Sequence, residues 1–218
     1  MTIQEKIRIA ITEDHTIVRK AVAGFINGFG GFDIIINSSN GHDLIRQLEL
    51  ANELPEICVL DINMPEMNGF ETLDRLREKY PEIRVLILSM YEHEQTIIKA
   101  FSKGARGYVI KDSDPLDLKS ALLTVYEGEL YHPELKTSHF YAYLHGRHDP
   151  ALPRISEKEM QFLPYCCTEL SLKEIAAEMG VALRTVQGYR DSLFDKLGFK
   201  TRTGLAMYAL KAGLVPLR

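Results

Sequence analysis

Along the first 130 positions, hydrophobic residues switch repeatedly between two spacings. Short runs rich in Val, Ile and Leu fall at 7–11, 33–36, 57–60, 84–88 and 107–110. Between and after them lie segments near 15–27, 41–51, 69–79, 93–103 and 115–127 in which apolar residues recur at helical spacing. Continuously apolar strands fit burial on both faces, and strict strand–helix alternation fits a parallel sheet covered by helices on both sides. The expected fold of this part is α/β, a doubly wound five-stranded parallel sheet. In the strand order 2-1-3-4-5 the switch point falls between the first and third strands.

The pattern dissolves over residues 131–152 into Pro, His, Tyr and polar residues, which reads as a linker with room for a short helix. Four of the seven histidines lie here, but no Cys or acidic pair completes a metal-ligand spacing, so they read as solvated. Helical spacing returns over 153–218. Ser156-Glu157-Lys158-Glu159 and Ser171-Leu172-Lys173-Glu174 are two capping boxes, each opening a helix. The second stops at Gly180 and a third starts by Leu183, the signature of a helix-turn-helix. A last helix near Thr203 to Ala212 would complete a small all-α four-helix domain. The expected division is thus 1–130, a linker at 131–152, and 153–218.

Composition adds limits. With 45% hydrophobic and 26% charged residues over 218 positions, the chain is ordinary for globular domains. No apolar stretch approaches the ~20 residues that span a bilayer, and the first six residues lack the apolar core of a signal peptide. A cytoplasmic protein without a membrane partner is expected. The three cysteines agree: Cys58 falls in a core strand and Cys166-Cys167 are adjacent, so all read as reduced core thiols. Charge is uneven. Residues 1–131 hold 14 Lys+Arg and 21 Asp+Glu, a net of −7, while 150–218 hold 10 and 7, a net of +3. The basic end is the candidate for nucleic acid.

The strand ends hold the candidate chemistry. The first strand runs into Glu13-Asp14, the third into Asp61, the fourth into Ser89 and the fifth into Lys111. In an open parallel sheet these ends share one rim, where ligands collect. Asp61 stands where Ile57-Cys58-Val59-Leu60 stops and the turn Asn63-Met64-Pro65 begins, so its carboxylate is expected to be presented rather than buried. Three carboxylates that stay ionised together need a cation, and few all-oxygen ligands suit Mg²⁺. A carboxylate nucleophile with metal, Lys111 and the Ser89 hydroxyl beside it is sufficient equipment for phosphoryl transfer.

These residues, in order and spacing, resemble the receiver domains of two-component response regulators over residues 6–128. The matching pieces are Glu13-Asp14, Leu60-Asp61-Ile62-Asn63-Met64-Pro65 with Gly69, Leu88-Ser89, and Tyr108-Val109-Ile110-Lys111. The resemblance implies a flavodoxin-like receiver in which Asp61 accepts phosphate from a sensor histidine kinase. Mg²⁺ would be held by Glu13, Asp14, Asp61 and the backbone carbonyl of Asn63. Ser89 and Tyr108 would form the switch pair, with Lys111 at the phosphoryl group. The hydroxyl would turn toward the phosphoryl group and the ring follow it inward. His15 reads as the residue that opens the first helix.

In the basic end, Val186, Leu193 and Leu197 mark a buried stripe, and the opposite face is polar. A second helix of this kind lies in the major groove. Ile155-Ser156-Glu157-Lys158-Glu159, Ser171-Leu172-Lys173-Glu174-Ile175-Ala176, Arg184-Thr185-Val186 and Lys196-Leu197-Gly198 resemble the LuxR-type DNA-binding domain of NarL/FixJ-type regulators over about 153–215. The chain departs from that family where Lys and His are common, with Gln187 and Tyr189. Ala182 replaces a common Ser cap, at about 1 kcal/mol, and Gly188 within the helix costs roughly as much. Gln187 can still read adenine and Gly188 permits close approach, whereas Asp191 would repel phosphates unless it accepts a hydrogen bond from cytosine. Arg184, Thr185, Tyr189, Arg190, Lys200 and Arg202 are candidate phosphate contacts.

The resulting expectation is a regulator rather than an enzyme, phosphorylated at Asp61 and binding double-stranded DNA as a homodimer, since half-sites imply dimers. A phosphatase of the haloacid dehalogenase type shares the Asp, Mg²⁺, Ser/Thr and Lys. It needs a general acid two residues after the nucleophile, where Asn63 stands instead. A regulator acting by protein contacts alone is the other alternative.

Overall fold

A computed structural model describes residues 6–132, 155–212 and 214–215 of the chain. Strands β1 (Ile7–Thr12), β2 (Phe32–Ser38), β3 (Ile57–Leu60), β4 (Arg84–Ser89) and β5 (Gly107–Ile110) form one sheet in the order β2-β1-β3-β4-β5. Every pairing is parallel. Helices α1 (Thr16–Phe29), α2 (Gly41–Leu50), α3 (Gly69–Lys79), α4 (Glu94–Ser102) and α5 (Pro115–Tyr126) alternate with the strands along the chain. Four more follow: α6 (Glu157–Cys166), α7 (Leu172–Glu178), α8 (Leu183–Leu197) and α9 (Arg202–Lys211). The described residues up to Glu92, with Lys103–Tyr131, make one compact unit; His93–Ser102 and those from His132 onward make another. The linker expected at 131–152 lies outside the described residues except for Tyr131 and His132. Tyr131 is tied to β5, accepting from Tyr108 N–H at 3.1 Å and donating to the Arg106 carbonyl at 2.9 Å.

In the first unit, alternate strand residues face opposite sides of the sheet. Ile9, Ile11, Ile57, Val59, Leu86, Leu88 and Val109 pack with Val22 and Ile26 of α1 and Leu118, Leu122 and Val125 of α5. Each such side chain, fully buried, contributes roughly 1.5–3 kcal/mol. The other face buries Ala10, Cys58, Leu60 and Ile87. Burial pushes the Cys58 thiol up to about 12, so it stays protonated and packs as a small apolar group. The registers Thr12↔Leu60, Leu60↔Ile87 and Ser89↔Ile110 bring the strand ends level. Residues 13, 14, 61, 89 and 111 therefore leave the sheet along one rim.

In the second unit, both expected capping boxes form, Ser156 with Glu159 and Ser171 with Glu174. Val186, Leu193 and Leu197 of α8 are buried as the spacing requires. α9 is buried almost all round, at Thr203, Gly204, Leu205, Ala206, Met207, Ala209 and Leu210. It packs chiefly on α6 and on α4 and also touches α8. Glu94 at the start of α4 accepts from the Thr203 N–H at 3.0 Å, and Lys99 lies 3.5 Å from Glu169.

Glu159 ties α6 to α8. Its carboxylate accepts from the Ser192 hydroxyl at 2.6 Å and from Lys196 Nζ at 2.7 and 2.8 Å while closing the α6 cap. Burial pushes its carboxyl up, but the bonds from Lys196, Ser192 and Ser156 outweigh this and hold it down from 4.5 to about 2. A carboxyl depressed on folding adds stability above its unfolded value and loses it as pH falls through the folded value, here between about 4.5 and about 2. Glu159→Gln is expected to cost on the order of 3 kcal/mol at pH 7. Urea unfolding checks this: the gap between wild type and variant should narrow as pH falls from 5 toward ~2, where the wild-type carboxylate is protonated as well.

Candidate functional site

The first candidate site is the rim of the sheet. Backbone ladder bonds run one residue past the strands: Glu13 N–H to Ser38 O at 3.2 Å, Asp61 N–H to Thr12 O at 2.9 Å, and Lys111 N–H to Ser89 O at 2.9 Å. The three side chains are thereby fixed by the sheet rather than left on free loops. Lys111 Nζ sits between two carboxylates, 2.6 Å from Glu13 and 3.1 Å from Asp61. Gly69 presses its backbone on the same spot. A Cβ there would stand 2.3 Å from the Asp61 carbonyl oxygen, so only glycine lets α3 start so near the acid.

This closeness corrects one expectation. Asp61 is buried, with 4% of its surface exposed, because the ladder bond, the α3 backbone and the Lys111 ammonium enclose it. Burial pushes its carboxyl above the usual range; Lys111 opposes the shift and the charge of Glu13 adds to it. Glu13 is also buried. Carboxylate oxygens of Glu13 and Asp14 and the Nδ1 of His15 lie within 4.8 Å of one another. Nδ1 is 3.1 Å from Glu13 and 2.8 Å from Asp14. Asp14 Oδ1 is buried and receives no well-directed hydrogen bond, an acceptor that a hard cation would satisfy. The donors fit Mg²⁺ in kind: Glu13, Asp14 and Asp61 offer oxygen ligands with excess negative charge. His15 sits at the N-cap of α1 with extended backbone and makes no capping bond, so it opens the helix as its position suggested.

Around Asp61, Tyr108 is 1% exposed, its hydroxyl donating to the Tyr91 carbonyl at 2.8 Å. Ser89 is buried, and its Oγ accepts from the Tyr91 N–H at 3.3 Å. The ring therefore lies inward while the hydroxyl is held by the backbone, so the two need not move in one step. Asn63 Nδ2 donates to Tyr91 Oη at 2.6 Å.

The second candidate site is the outer face of α8. Arg184, Thr185, Gln187 and Gly188 are exposed there, with Lys200 just beyond the helix. Tyr189 is half-buried, its ring 6.4 Å from that of Phe162. Arg190 is paired with Asp191 at 2.7 Å and lies over Phe194, so the acid expected to repel phosphate is neutralised within the helix. The helix starts at Ala182 without a side-chain cap, and a Cβ on Gly188 would meet nothing within 4 Å. Ala182→Ser and Gly188→Ala should therefore each raise stability by about 1 kcal/mol. If a duplex lies against Gly188, Gly188→Ala should at the same time weaken its binding, read by thermal unfolding beside fluorescence anisotropy. Unchanged affinity would show that no duplex comes close to Gly188.

The family model described as a response regulator receiver domain matches residues 9–123, and that described as bacterial regulatory proteins of the luxR family matches 153–209. The nitrate/nitrite response regulator protein NarL of Escherichia coli strain K12 is 32% identical over 212 residues, covering 95% of this chain and 97% of its own. The chain belongs to the response regulator family. The oxygen regulatory protein NreC of Staphylococcus haemolyticus is 27% identical over 216 residues, covering 95% of this chain and 99% of NreC. A solved LuxR-family two-component response regulator from Aurantimonas sp. SI85-9A1 is 28% identical with a TM-score of 0.56, covering 61% of this chain and 94% of that one. This response regulator thus joins a receiver domain to a LuxR-type DNA-binding domain, the build of a DNA-binding transcription regulator. Among its described residues no helix is long and apolar enough to cross a membrane.

Within the response regulator, the structure brings Glu13, Asp14, Asp61, Ser89 and Lys111 to one rim, with Asn63 and Tyr108 joined to it through Tyr91. It removes Arg202 from the DNA-contact set. That guanidinium donates to the carbonyls of Cys166 at 3.2 Å, Leu170 at 2.6 Å, Tyr165 at 2.7 Å and Thr168 at 2.8 Å, closing the C-terminal end of α6. Its donors are spent on protein, not phosphate. Tyr91 went unnoticed in the sequence, and Glu159 was read there only as a capping residue, not as the acid that ties α6 to α8. Glu159 carried a signal, as the closing residue of a capping box; Tyr91 lies in the β4–α4 loop, where periodicity is silent.

Proposed function

We propose that Asp61 is the phosphoacceptor of a receiver spanning residues 1–130, joined by 131–152 to a DNA-binding domain at 153–218. One observation supports this most: Asp61 is buried at the end of β3 with the Lys111 ammonium 3.1 Å from its Oδ1. A sensor histidine kinase would supply the phosphoryl group. An Asp61 oxygen bonds to phosphorus, the bond from phosphorus to the donor imidazole breaks with its electron pair leaving on nitrogen, and Asp61 becomes an acyl phosphate. Glu13, Asp14, Asp61 and the Asn63 carbonyl would hold Mg²⁺. When bound, Mg²⁺ offsets the charge gathering on the phosphoryl oxygens. Lys111 supplies a second cation on the other side. Ser89 leaves the Tyr91 N–H and donates its hydroxyl to a phosphoryl oxygen, with Tyr108 already lodged inward beneath it.

The α8 face, through Arg184, Thr185, Gln187 and Gly188 with Lys200 beside it, is proposed to meet the major groove. Tyr189 and Arg190 would add phosphate contacts at the edge. The phosphorylated form would bind as a homodimer, and the protein would act in the cytoplasm, where its DNA lies. Phosphate uptake tests the reading: full-length protein with acetyl phosphate and Mg²⁺ should take up about one phosphate per chain, and EDTA should prevent it. Uptake that is indifferent to EDTA would overturn the metal assignment.

A further inference from the structure

The exposed line down α8 runs through Arg184, Gly188, Asp191 and Asp195, which follow one another at helical spacing. Its charge changes sign along the way, from a cation in the first turn to two acids in the later ones. Asp191 is the acid that is held in place. Its Oδ1 accepts from Arg190 Nε at 2.8 Å and lies 2.7 Å from Arg190 Nη2, and that guanidinium lies over the Phe194 ring, 5.9 Å from its centroid. Consecutive residues on a helix do not face each other, so the Arg190 side chain has to fold across the helix surface to make this pair. The Asp191 side chain stays 61% exposed, against 33% for Arg190. One carboxylate oxygen is thus committed to Arg190. The other, Oδ2, has no hydrogen-bond partner among the described residues, which leaves a fixed acceptor on the face that carries Gln187 and Gly188.

We propose that Asp191 is a specificity-determining residue that accepts a hydrogen bond from the N4 amino group of a cytosine and keeps α8 off duplexes lacking one there. The proposal rests on α8 as the helix that enters the major groove. An ionised carboxylate is an acceptor only. In the major groove cytosine offers its N4 donor, whereas guanine presents N7 and O6 and thymine O4, all acceptors, and adenine sets its N7 acceptor beside its N6 donor. Opposite cytosine the acid gains a charge-assisted bond. Opposite guanine or thymine it faces lone pairs with no proton between, and leaving such a group unsatisfied costs more than the right bond gains. Selectivity then comes from rejection as much as from attraction. Arg190 is the positioning residue: it fixes Oδ1 and cancels the Asp191 charge beside the phosphates, so the pair adds nothing to the pull of an arbitrary duplex. Gln187 lies one turn before Asp191, roughly 6 Å along the helix. With base steps of about 3.4 Å, the adenine read by Gln187 and the cytosine read by Asp191 fall about two steps apart in each half-site.

The test selects duplexes from a randomised pool with the full chain, phosphorylated with acetyl phosphate and Mg²⁺. Fluorescence anisotropy then compares the recovered duplex, the same duplex with each C·G pair changed in turn to T·A, and a scrambled one. Wild type, Asp191→Asn and Arg190→Ala are measured on all of them. Wild type should recover a fixed cytosine in each half-site, and changing that pair to T·A should weaken binding about ten-fold or more. The amide of Asp191→Asn donates as well as accepts, so the same change should cost this variant less than about two-fold. Asp191→Asn should also bind the scrambled duplex more tightly than wild type, with a salt slope steeper by about 0.9, because Arg190 is freed for a phosphate. Arg190→Ala should weaken binding to every duplex and narrow the cytosine preference, which loss of a phosphate contact alone would not do. Both side chains lie at the surface, and the variants should melt with the wild type. A recovered site without a fixed cytosine, a cytosine preference retained by Asp191→Asn, or scrambled DNA bound no more tightly by that variant would overturn the role of Asp191 while leaving α8 as the DNA-reading helix. If the wild type bound no duplex in a salt-dependent way, α8 as the groove helix would fall and the reading of Asp191 with it.

Discussion

Asp61→Asn should take up no phosphate from acetyl phosphate and Mg²⁺ while melting at a higher temperature than the wild type when metal is absent. The first effect follows because an amide offers no carboxylate oxygen to form the acyl phosphate. The second follows from burial. The Asp61 carboxyl is pushed above the usual range chiefly because it is removed from water, and Lys111 only partly offsets this. A carboxyl raised on folding contributes its stability below the unfolded value and loses it as pH rises through the folded one, so at neutral pH the ionised Asp61 works against folding. Asn, of the same shape and without the charge, relieves that cost. Lys111 retains Glu13 at 2.6 Å as a partner. Mg²⁺ should reverse the order by stabilising the wild type more than the variant, since a ligand of the folded state adds stability. Differential scanning fluorimetry with and without Mg²⁺, beside phosphate-affinity gels, reads both effects. Undiminished phosphate uptake by Asp61→Asn would move the acceptor elsewhere.

The second large effect is expected at Arg202. Removing its side chain leaves the carbonyls of Tyr165, Cys166, Thr168 and Leu170 without the charged donor that gathers them. Hydrogen bonds to a charged group are worth about 1.5–3 kcal/mol each, and water replaces part of the loss, so Arg202→Ala should cost on the order of 3 kcal/mol. A loss of that size is a large fraction of a small domain's stability. Lys200→Ala provides the contrast. Lys200 is exposed, and as a phosphate contact its loss should leave stability unchanged and lower the salt slope of DNA binding by about 0.9. Urea unfolding separates the two variants. If Arg202→Ala were as stable as the wild type and only its salt slope fell, Arg202 would return to the DNA-contact set.

Arg202 also shows where sequence reading stops. An arginine beside Lys200 at the start of a helix has the same local signature whether its donors meet phosphate or four carbonyls more than 30 residues away in the chain. The burial of Asp61 was hidden for the same kind of reason, since it depends on the Gly69 backbone folding back at the start of α3 and on the Lys111 ammonium arriving from the end of β5. What was legible is what repeats or punctuates. The apolar runs located the five strands, and their ends named the rim residues, because in a parallel sheet the chain position of a strand end fixes its place in space. The capping boxes at Ser156 and Ser171 announced α6 and α7. Asn68 and Glu71 form a third capping box at α3, whose Asn-x-x-Glu pattern was present to be read. Tyr91 had no such mark. The all-round apolar α9 likewise signals burial on more than one side, but not that α4 is one of its partners.

The measurement that tests the central claim most directly is fluorescence anisotropy of the full chain on a duplex, unphosphorylated and after acetyl phosphate with Mg²⁺, titrated over salt. Phosphorylated wild type is expected to bind more tightly than unphosphorylated. Its affinity should fall linearly in log salt with a slope near −0.9 per phosphate contacted, and Asp61→Asn should show no response to acetyl phosphate. Identical binding with and without phosphate at Asp61, or binding indifferent to salt, would contradict a phosphorylation-controlled DNA-binding protein.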